Sequence, residues 1–472
     1  MNFNIEVKNF GKIKDAKVKI APFTIISGAN SSGKSFLSRA LYTFFSTINK
    51  DYVTVEAIQL SVRIERLLSN SFHSIASPSQ KVLERYLETI ESINILKEVI
   101  NTEFGNYSFV EQHSRNLIIE DRLDILDKLI NELLSEVDGI KKYEGFLERL
   151  KNINLLTKTL KTSIKDPTKI LNNKLGEEFT NNIVENFQIK SLSELRNFND
   201  KNDSYSSFKI EKMGEIKIDK DKIYFRLNPE MVNDLQKLHN VVFIESPIYW
   251  KLRKPLLEIR KRINLNSIFN FHREKSELTG VPKYFFDLVD LLDQDNKLNA
   301  EDESFIDKIL SNINSTLTGE LAITPNGDIV FKDKDCSKDI NLNVTATGIT
   351  NLGILALLIR RNVITKGSFV FIDEPEINLH PAWQKTMIET LYELSRNGVN
   401  IVVATHSIDM IKYIENIMAS LTREEIKEHF AVNRLSKNGI SINEDDEPRK
   451  SLDDIKIDLG ESYFNMTIES GW

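Results

Sequence analysis

The sequence predicts an α/β fold in which a long helical insertion interrupts a parallel-sheet head. Three observations support this prediction. A short apolar strand at residues 23–26 leads into a glycine-rich loop and a helix. A second apolar strand at residues 369–372 ends in two carboxylates and is followed by a helix and a strand at residues 402–404, which is the alternation typical of βαβ units. The segment at residues 51–204 is poor in glycine and rich in Leu, Ile, Glu and Lys, which favours helices.

The composition limits the class of protein. A chain of 472 residues with 41% hydrophobic residues can bury a sizeable core, and its length suggests about three domains. The net charge of −7 excludes a uniformly basic nucleic-acid binder but allows a local basic patch. Cys336 is the single cysteine, which excludes an intramolecular disulfide and a zinc site built from several thiolates. The N-terminus lacks the basic and then apolar layout of a signal peptide. No apolar run approaches the length of about 18 residues that a membrane span needs, so we expect a soluble cytoplasmic protein.

The first 26 residues are predicted to form three short strands. Apolar residues alternate with period 2 around Ile5 and Val18, whereas residues 23–26 are almost uniformly apolar, as in a buried strand. The next segment, residues 27–35, reads Ser-Gly-Ala-Asn-Ser-Ser-Gly-Lys-Ser and matches the phosphate-binding pattern G-x-x-x-x-G-K-[ST].

This loop predicts a nucleotide site. Its glycines let backbone N–H groups converge on phosphate oxygens, and the helix that follows directs its positive end toward them. Lys34 is expected to contact the β- and γ-phosphates and to assist catalysis, and Ser35 to ligate Mg²⁺. The residues predicted to bind the nucleotide here are Gly28, Asn30, Ser31, Ser32, Gly33, Lys34 and Ser35.

The insertion contains an apolar seam with 4-3-4-3 spacing, typical of a heptad repeat. Its residues are Leu126, Ile130, Leu133, Val137 and Ile140. Either a helical bundle or an antiparallel coiled-coil arm has such a seam. Asn residues, Gly145 and Pro167 interrupt the pattern, so we favour a compact, short coiled-coil-like insertion that ends in the polar link 202–207. The predicted domains are therefore residues 1–50, 51–204 and 205–472, with the first and last forming one head.

After the insertion the pattern returns to strands and helices. Residues 215–219 and 222–227 predict a hairpin, residues 241–244 a buried strand, and residues 321–323 and 329–331 a second hairpin. A basic segment lies between them, and it is either a solvated helix face or a surface for a polyanion or a partner. Its cations are Lys251, Arg253, Lys254, Arg260, Lys261 and Arg262.

The strand at residues 369–372 delivers Asp373 and Glu374 to the carboxyl edge of the predicted sheet, where ligands of α/β proteins bind. Asp373 is placed to hold Mg²⁺, and Glu374 to orient and deprotonate an attacking water. The strand at residues 402–404 ends in Thr-His-Ser, and we predict that His406 senses the γ-phosphate.

At these residues the chain resembles the AAA-family, ABC-type ATPase heads of the SMC and overcoming-lysogenization-defect families. Residues 28–35, 373–376, 379–381 and 405–407 resemble the Walker A motif, the Walker B motif, the D-loop and the switch histidine of that group. The resemblance covers roughly residues 1–50 and 205–420. The ATPase subunits of the Septu, PARIS and retron antiphage systems look similar in size and layout.

Two positions depart from the pattern of the group. The place of the Leu-Ser-Gly-Gly-Gln-like signature reads Ala-Thr-Gly-Ile-Thr at residues 346–350. The resemblance implies that Thr347 and Gly348, at the start of a helix, meet the γ-phosphate bound by the opposite subunit. Glu245 and Ser246 stand where a glutamine is usual, and no role is assigned to them.

The resemblance implies an Mg²⁺-dependent ATPase in which two heads of a homodimer or a higher homo-oligomer sandwich two ATP molecules. It also implies a sensor or regulatory role in antiphage defence. The segment after His406 is too short for a further domain of typical size, so we expect any nuclease effector to be a separate subunit. Two alternatives stay open: an SMC-like DNA-repair or chromosome clamp that acts directly on DNA, and a nucleotide kinase. The paired carboxylates and His406 favour attack by water over the latter.

Overall fold

The computed structural model describes residues 1–105, 107, 109–199, 205–269, 280–294, 303–442 and 447–469. Residues 202–204 of the predicted polar link lie outside these residues, as does the side chain of Arg262 of the basic segment. The strands are β1 (Phe3–Phe10), β2 (Ile13–Ile20), β3 (Phe23–Gly28), β4 (Ser206–Ile210), β5 (Gly214–Asp219), β6 (Lys222–Leu227), β7 (Val241–Ile244), β8 (Gly319–Ile323), β9 (Ile329–Asp333), β10 (Ile340–Asn341), β11 (Phe369–Asp373), β12 (Asn400–Thr405) and β13 (Phe430–Leu435).

Helices occupy much of the rest of the described chain. They are α1 (Lys34–Ile48), α2 (Tyr52–His73), α3 (Gln80–Phe104), α4 (Phe109–Val137), α5 (Glu144–Lys165), α6 (Pro167–Phe187), α7 (Pro229–Gln236), α8 (Ile248–Lys251), α9 (Arg253–Phe269), α10 (Lys283–Leu292), α11 (Glu303–Leu317), α12 (Thr347–Arg360), α13 (Pro381–Arg396), α14 (Ile408–Ala419), α15 (Arg423–His429) and α16 (Pro448–Glu469). None of them, within the described residues, has the length and hydropathy that a membrane span requires. The predicted α/β class with a helical insertion is confirmed.

A parallel sheet positions the candidate site. Among the described strands its order is β13-β3-β12-β11-β7, and every neighbouring pair runs parallel. The residues of β3, β7, β11 and β12 are all buried, as expected for a sheet covered on both faces. Because the strands share one direction, β3, β11 and β12 end at the same edge, which brings three separate sequence motifs together.

Two antiparallel sheets complete the head. The strands β2-β1-β4-β5-β6 form one sheet and β10-β9-β8 the other. Period-2 burial along β1 and β2 matches the alternation seen in the sequence, because one face of this sheet packs on apolar side chains. Phe10 lies in that core, with ring centroids 4.9 Å from Phe208 and 5.8 Å from Phe187.

The described chain divides into two compact units. One comprises residues 1–47, 179–228 and 238–472, and the other residues 48–178 and 229–237. The domain division at residues 1–50, 51–204 and 205–472 remains a prediction. Its boundary at residue 204 differs from Glu178, where the long segment of the helical unit ends. Residues 179–228 belong to the first unit, where Phe179 packs against Phe44 and Phe225.

The second unit is a helical bundle. The helix α2 contacts α3, α3 contacts α4, α4 contacts α5, and α5 closes the ring by contacting α2. The predicted seam is buried from Leu126 to Val137, whereas Ile140 lies beyond the end of α4 and is 43% exposed. This ring of contacts is that of a compact insertion rather than a long arm. The short helix α7 also packs on α4, which the sequence did not predict.

Candidate functional site

The phosphate-binding loop joins the end of β3 to the start of α1. Three of its residues have positive φ angles: Gly28 at 151°, Ser31 at 62° and Gly33 at 101°. A Cβ atom on Gly28 would lie 2.2 Å from the carbonyl oxygen of Leu435 at the end of β13. Glycine is therefore required at position 28 by a neighbouring strand as well as by the close approach of phosphate that the motif predicts.

Lys34 lies at the centre of the predicted site. Its Nζ donates hydrogen bonds to the carbonyl oxygens of Gly28 at 2.9 Å and Ala29 at 3.2 Å, and the residue is 5% exposed. Burial lowers the pKa of Lys34, and the nearby charges of Glu374, Asp373 and Glu376 oppose that shift. The structure thus brings the lysine of the first motif close to the carboxylates of the second.

Asp373, at the end of β11, meets Ser35 at the start of α1. Burial raises the pKa of the Asp373 carboxyl to about 7, while the hydroxyl of Ser35, which interacts with that carboxylate, opposes the shift. The Oδ1 atom of Asp373 and the hydroxyl of Ser32 in the loop are buried and have no hydrogen-bond partner. Buried polar groups normally have partners, so these two atoms point to a ligand.

This donor set fits Mg²⁺ bound together with phosphate. Mg²⁺ takes oxygen ligands and is usually held by one or two protein groups, with waters and substrate phosphates completing its shell. Ser35 and Asp373 provide two oxygen donors of that kind. Within the described residues there is no cluster of three or more His, Cys, Asp or Glu side chains that could hold a metal ion by itself.

Glu374 follows Asp373 in a left-handed conformation, with φ of 51°. This region costs a non-glycine residue about 1–2 kcal/mol, and such strain often marks a functional position. Its backbone N–H donates to the carbonyl oxygen of Ala404 at 2.8 Å, which fixes the turn against β12. The side chain is 34% exposed, so water can reach the carboxylate predicted to act as the base.

His406 lies beside two carboxylates at the end of β12. Its Nδ1 atom is 3.4 Å from Oε1 of Glu374 and 3.3 Å from Oε1 of Glu376. Both distances are in the range of an ion pair, but neither contact has the alignment of a hydrogen bond. The structure therefore places the predicted catalytic residues Lys34, Glu374 and His406 around one edge of the sheet. Glu376 is part of the predicted Walker B-like motif at residues 373–376, but its contact with His406 was not predicted.

Thr347 and Gly348 lie at the N-terminus of α12, against a loop of the same chain. A Cβ atom on Gly348 would lie 2.7 Å from the carbonyl oxygen of Asn378. One turn later, the buried Asn351 side chain donates to the carbonyl oxygens of Pro375 at 3.0 Å and Ile377 at 3.1 Å. The start of α12 is thus tied to the loop that follows Glu374, a link that was not predicted from the sequence.

A polar cluster that the sequence did not predict lies beside Asp373. Glu245, just after β7, forms an ion pair of 2.8 Å with Arg39 of α1 and accepts a hydrogen bond from the Tyr284 hydroxyl. The Arg39 guanidinium lies 5.5 Å from the ring centroids of Phe187 and Tyr284. Glu245 and Arg39 also affect the pKa of Asp373 in opposite directions. No local pattern joins these residues, because they are far apart in the chain.

The basic segment is mostly engaged within the chain. Arg253 donates from Nη2 to both carboxylate oxygens of Asp293 at 2.7 and 2.8 Å. Arg260 donates from Nη1 and Nη2 to the two oxygens of Asp290 at 2.8 and 2.7 Å, which is a bidentate pair. Lys254 is ion-paired with Asp328, and Lys251 donates to the carbonyl oxygen of Thr345 at 2.6 Å. Lys261 is exposed. The alternative of a continuous polyanion-binding surface is thereby weakened, since these acids neutralise most of its described cations.

Comparisons with known proteins place the chain among nucleotide-binding proteins. The family model described as "AAA ATPase domain" matches residues 1–411. Among curated proteins, Old nuclease of Escherichia phage P2 is 39% identical over 59 residues. That match covers 12% of this chain and 10% of the relative, so it says little about the relative's activity here.

Solved structures of SMC heads are also similar to the chain. One is the Smc head bound to the C-winged helix domain of ScpA, with 12% identity, a TM-score of 0.39, and coverage of 93% of this chain and 95% of that chain. Another is the SMC head domain from Thermotoga maritima, with 11% identity, a TM-score of 0.35, and coverage of 93% and 97%.

Proposed function

Because the chain belongs to the AAA ATPase domain family, we propose that it binds ATP with Mg²⁺ and hydrolyses it at the carboxyl edge of the parallel sheet. The observation that carries this proposal is the meeting of Ser35 and Lys34 with Asp373, whose buried Oδ1 atom has no hydrogen-bond partner among the described residues. A phosphate-binding loop and a buried carboxylate that lacks a partner form a site that a magnesium–nucleotide complex completes.

Each residue has a defined task in the proposed reaction. The backbone N–H groups of residues 28–33 and the ammonium of Lys34 bind the phosphates. Ser35 and Asp373 hold Mg²⁺, which neutralises charge on the β- and γ-phosphates when it is bound. Glu374 accepts a proton from the attacking water as the oxygen of that water bonds to the γ-phosphorus. The bond from that phosphorus to the bridging oxygen breaks, and ADP leaves with the electron pair.

The ABC-type arrangement extends this proposal to a homodimer. In it, Thr347 and Gly348 of one subunit contact the γ-phosphate held by the loop of the other. Two features support this role. Thr347 begins α12, whose N-terminus attracts anions, and Asn351 ties that terminus to the loop after Glu374. A γ-phosphate bound in trans would therefore be linked to the position of the catalytic carboxylate.

The biological role proposed is that of a sensor or regulatory ATPase in an antiphage system, acting with a separate nuclease subunit. The resemblance in size and layout to defence ATPases supports it, and the partial similarity to Old nuclease is consistent with it. The alternative is an SMC-like clamp that acts directly on DNA. The internal pairing of Arg253, Lys254 and Arg260 favours the first reading, because it removes most of the basic surface that a clamp would use.

ATPase assays on the purified full chain test both levels of the proposal. The expected result is Mg²⁺-dependent hydrolysis that Lys34→Ala abolishes, and no change in rate when duplex DNA is added. Absence of hydrolysis in the parental protein would contradict the ATPase assignment. Strong stimulation by duplex DNA would instead favour the clamp. Affinity capture of the native complex, followed by identification of the bound chains, then tests for a nuclease partner.

A further inference from the structure

Glu376 holds the segment that carries His406. Its Oε1 atom accepts hydrogen bonds from the Thr405 hydroxyl at 2.8 Å and from the backbone N–H of His406 at 2.9 Å. The same oxygen lies 3.3 Å from the His406 ring nitrogen Nδ1. One buried carboxylate oxygen thus accepts two hydrogen bonds from two successive residues and lies within ion-pair distance of a ring nitrogen of the second.

The backbone on both sides of Glu376 is fixed. Asn351 donates to the carbonyl oxygens of Pro375 and Ile377, and the loop is closed by a bond of 3.1 Å from the Ile377 N–H to the carbonyl oxygen of Glu374. Glu376 is 9% exposed, so its carboxylate has little room to move. A second carboxylate close to His406, that of Glu374, is more exposed and is held by fewer contacts.

We propose that Glu376 is a positioning residue that fixes the His406 backbone by a hydrogen bond and attracts Nδ1 of the ring by its charge at 3.3 Å, and so keeps Glu374 available for water. This inference rests on the proposed ATPase function. Glu374 and Glu376 lie at nearly equal distances from Nδ1, so they compete for the ring. Because Oε1 of Glu376 is already fixed by two other donors, it is the stationary partner. Nε2 of His406 is then the ring nitrogen available to contact the γ-phosphate.

Loss of the charge at position 376 should let the ring pair with Glu374. A glutamine at this position can still accept the bonds from Thr405 and the His406 backbone, so the fold is expected to survive. Partners that orient a metal-bound histidine typically contribute about 10–100-fold to activity, and we take the same range for a histidine directed at a phosphate. We therefore expect Glu376→Gln to lower kcat by about that factor with little change in KM, because the phosphate-binding loop is untouched.

A double-mutant cycle separates positioning through His406 from an independent structural role. If Glu376 acts through His406, the variant carrying both Glu376→Gln and His406→Ala should be no slower than His406→Ala alone. Independent effects that multiply would contradict the proposal. Glu389→Gln, a change at an exposed glutamate of α13, is the matched control and should keep the parental kcat and melting temperature.

An NMR measurement without nucleotide tests the contact apart from activity. With ¹⁵N-labelled histidine, the ring signal of His406 is identified by its loss in His406→Ala, among the 7 histidines of the chain. The ring is expected to carry its proton on Nδ1 in the parental protein and to change its tautomer signal in Glu376→Gln. An unchanged ring signal would overturn the proposal even if ATP hydrolysis is confirmed. A parental protein that does not hydrolyse ATP would instead contradict the proposed function and leave this test standing.

Discussion

The ammonium of Lys34 donates a hydrogen bond of 2.9 Å to the carbonyl oxygen of Gly28, at the opposite end of the phosphate-binding loop. A second bond of 3.2 Å reaches the carbonyl oxygen of Ala29. The lysine therefore closes the loop on itself. Binding of a triphosphate would exchange these neutral acceptors for charged phosphate oxygens, which form stronger hydrogen bonds with an ammonium group.

Lys34→Ala is expected to weaken ATP binding by at least about 30-fold, because loss of one member of a buried charged contact costs about 2–5 kcal/mol. Calorimetric titration with Mg²⁺ and ATP measures the effect. Lys385→Ala, at an exposed lysine of α13, serves as the control and should bind like the parental protein. Unchanged affinity in Lys34→Ala would show that the phosphates bind elsewhere.

Gly28→Ala should destabilise the protein more than Gly327→Ala. Both glycines have positive φ, at 151° and 77°, and alanine in the left-handed region costs about 1–2 kcal/mol. A Cβ atom at position 327 would meet none of the described residues within 4 Å, whereas at position 28 it would lie 2.2 Å from the Leu435 carbonyl oxygen. Denaturant unfolding gives both free energies, and equal losses would argue against the close approach of β13 to the loop.

The buried carboxyl of Asp373 should make stability depend on pH. Its pKa is raised to about 7 in the folded chain, above about 3.9 in an unfolded one. Its contribution to stability is therefore complete below about pH 4 and is lost as pH rises toward about 7, by up to about 4 kcal/mol.

Asp373→Asn lacks this titration and is the direct comparison. The free energy of unfolding of the parental protein should fall relative to that of Asp373→Asn between about pH 4 and about pH 7. Unfolding curves without metal or nucleotide at several pH values measure the difference. A difference that stays constant over this range would mean that the carboxyl is already ionised in the folded chain.

Arg253 is expected to stabilise the fold rather than to bind a polyanion. It is 8% exposed, pairs with Asp293 through two hydrogen bonds, and donates to the carbonyl oxygen of Gly327 at 2.8 Å. The Asp293 carboxylate is 48% exposed, so the loss is that of hydrogen bonds rather than of a fully buried ion pair. A hydrogen bond to a charged group contributes about 1.5–3 kcal/mol, and Arg253→Gln should therefore lower the melting temperature clearly. Lys261→Gln, at an exposed position of the same helix, should not. If Arg253→Gln and Lys261→Gln had equal melting temperatures, Arg253 would not be a stabilising residue and would again be a candidate for binding a polyanion.

The sequence predicted the edge of the sheet well because its signals are local. Each of β3, β11 and β12 is an apolar run directly followed by the residues that the site uses. The strand β13 was missed because Asn433 and Arg434 interrupt its apolar pattern. In the fold, the Asn433 amide is buried and donates to the carbonyl oxygens of Lys19 and Ile25, so a polar residue is satisfied by strands distant in sequence.

Contacts that depend on distant segments were beyond sequence reasoning. Glu376 meets Thr405 across 29 positions of the chain, and Arg39 meets Glu245 across 206. The basic segment gave a misleading signal for the same reason, since the acids that neutralise it follow about 30 or more residues later. Charge counted along a chain does not reveal which charges become paired when it folds.

Asp373→Asn and Glu374→Gln should separate metal binding from water activation. The first change removes an anionic oxygen from the predicted Mg²⁺ site and should weaken the metal-dependent part of ATP binding. The second keeps a polar group of the same shape but cannot accept a proton, so nucleotide binding should survive. Trapped ATP should then hold two heads together through Thr347 and Gly348, which light scattering detects as a dimer.

Single-turnover hydrolysis by Glu374→Gln tests the central claim most directly. General-base catalysis contributes roughly 10²–10⁴-fold, so the rate should fall by about that factor while ATP and Mg²⁺ remain bound. Hydrolysis at the parental rate would mean that the base lies elsewhere and would contradict the mechanism proposed for this site.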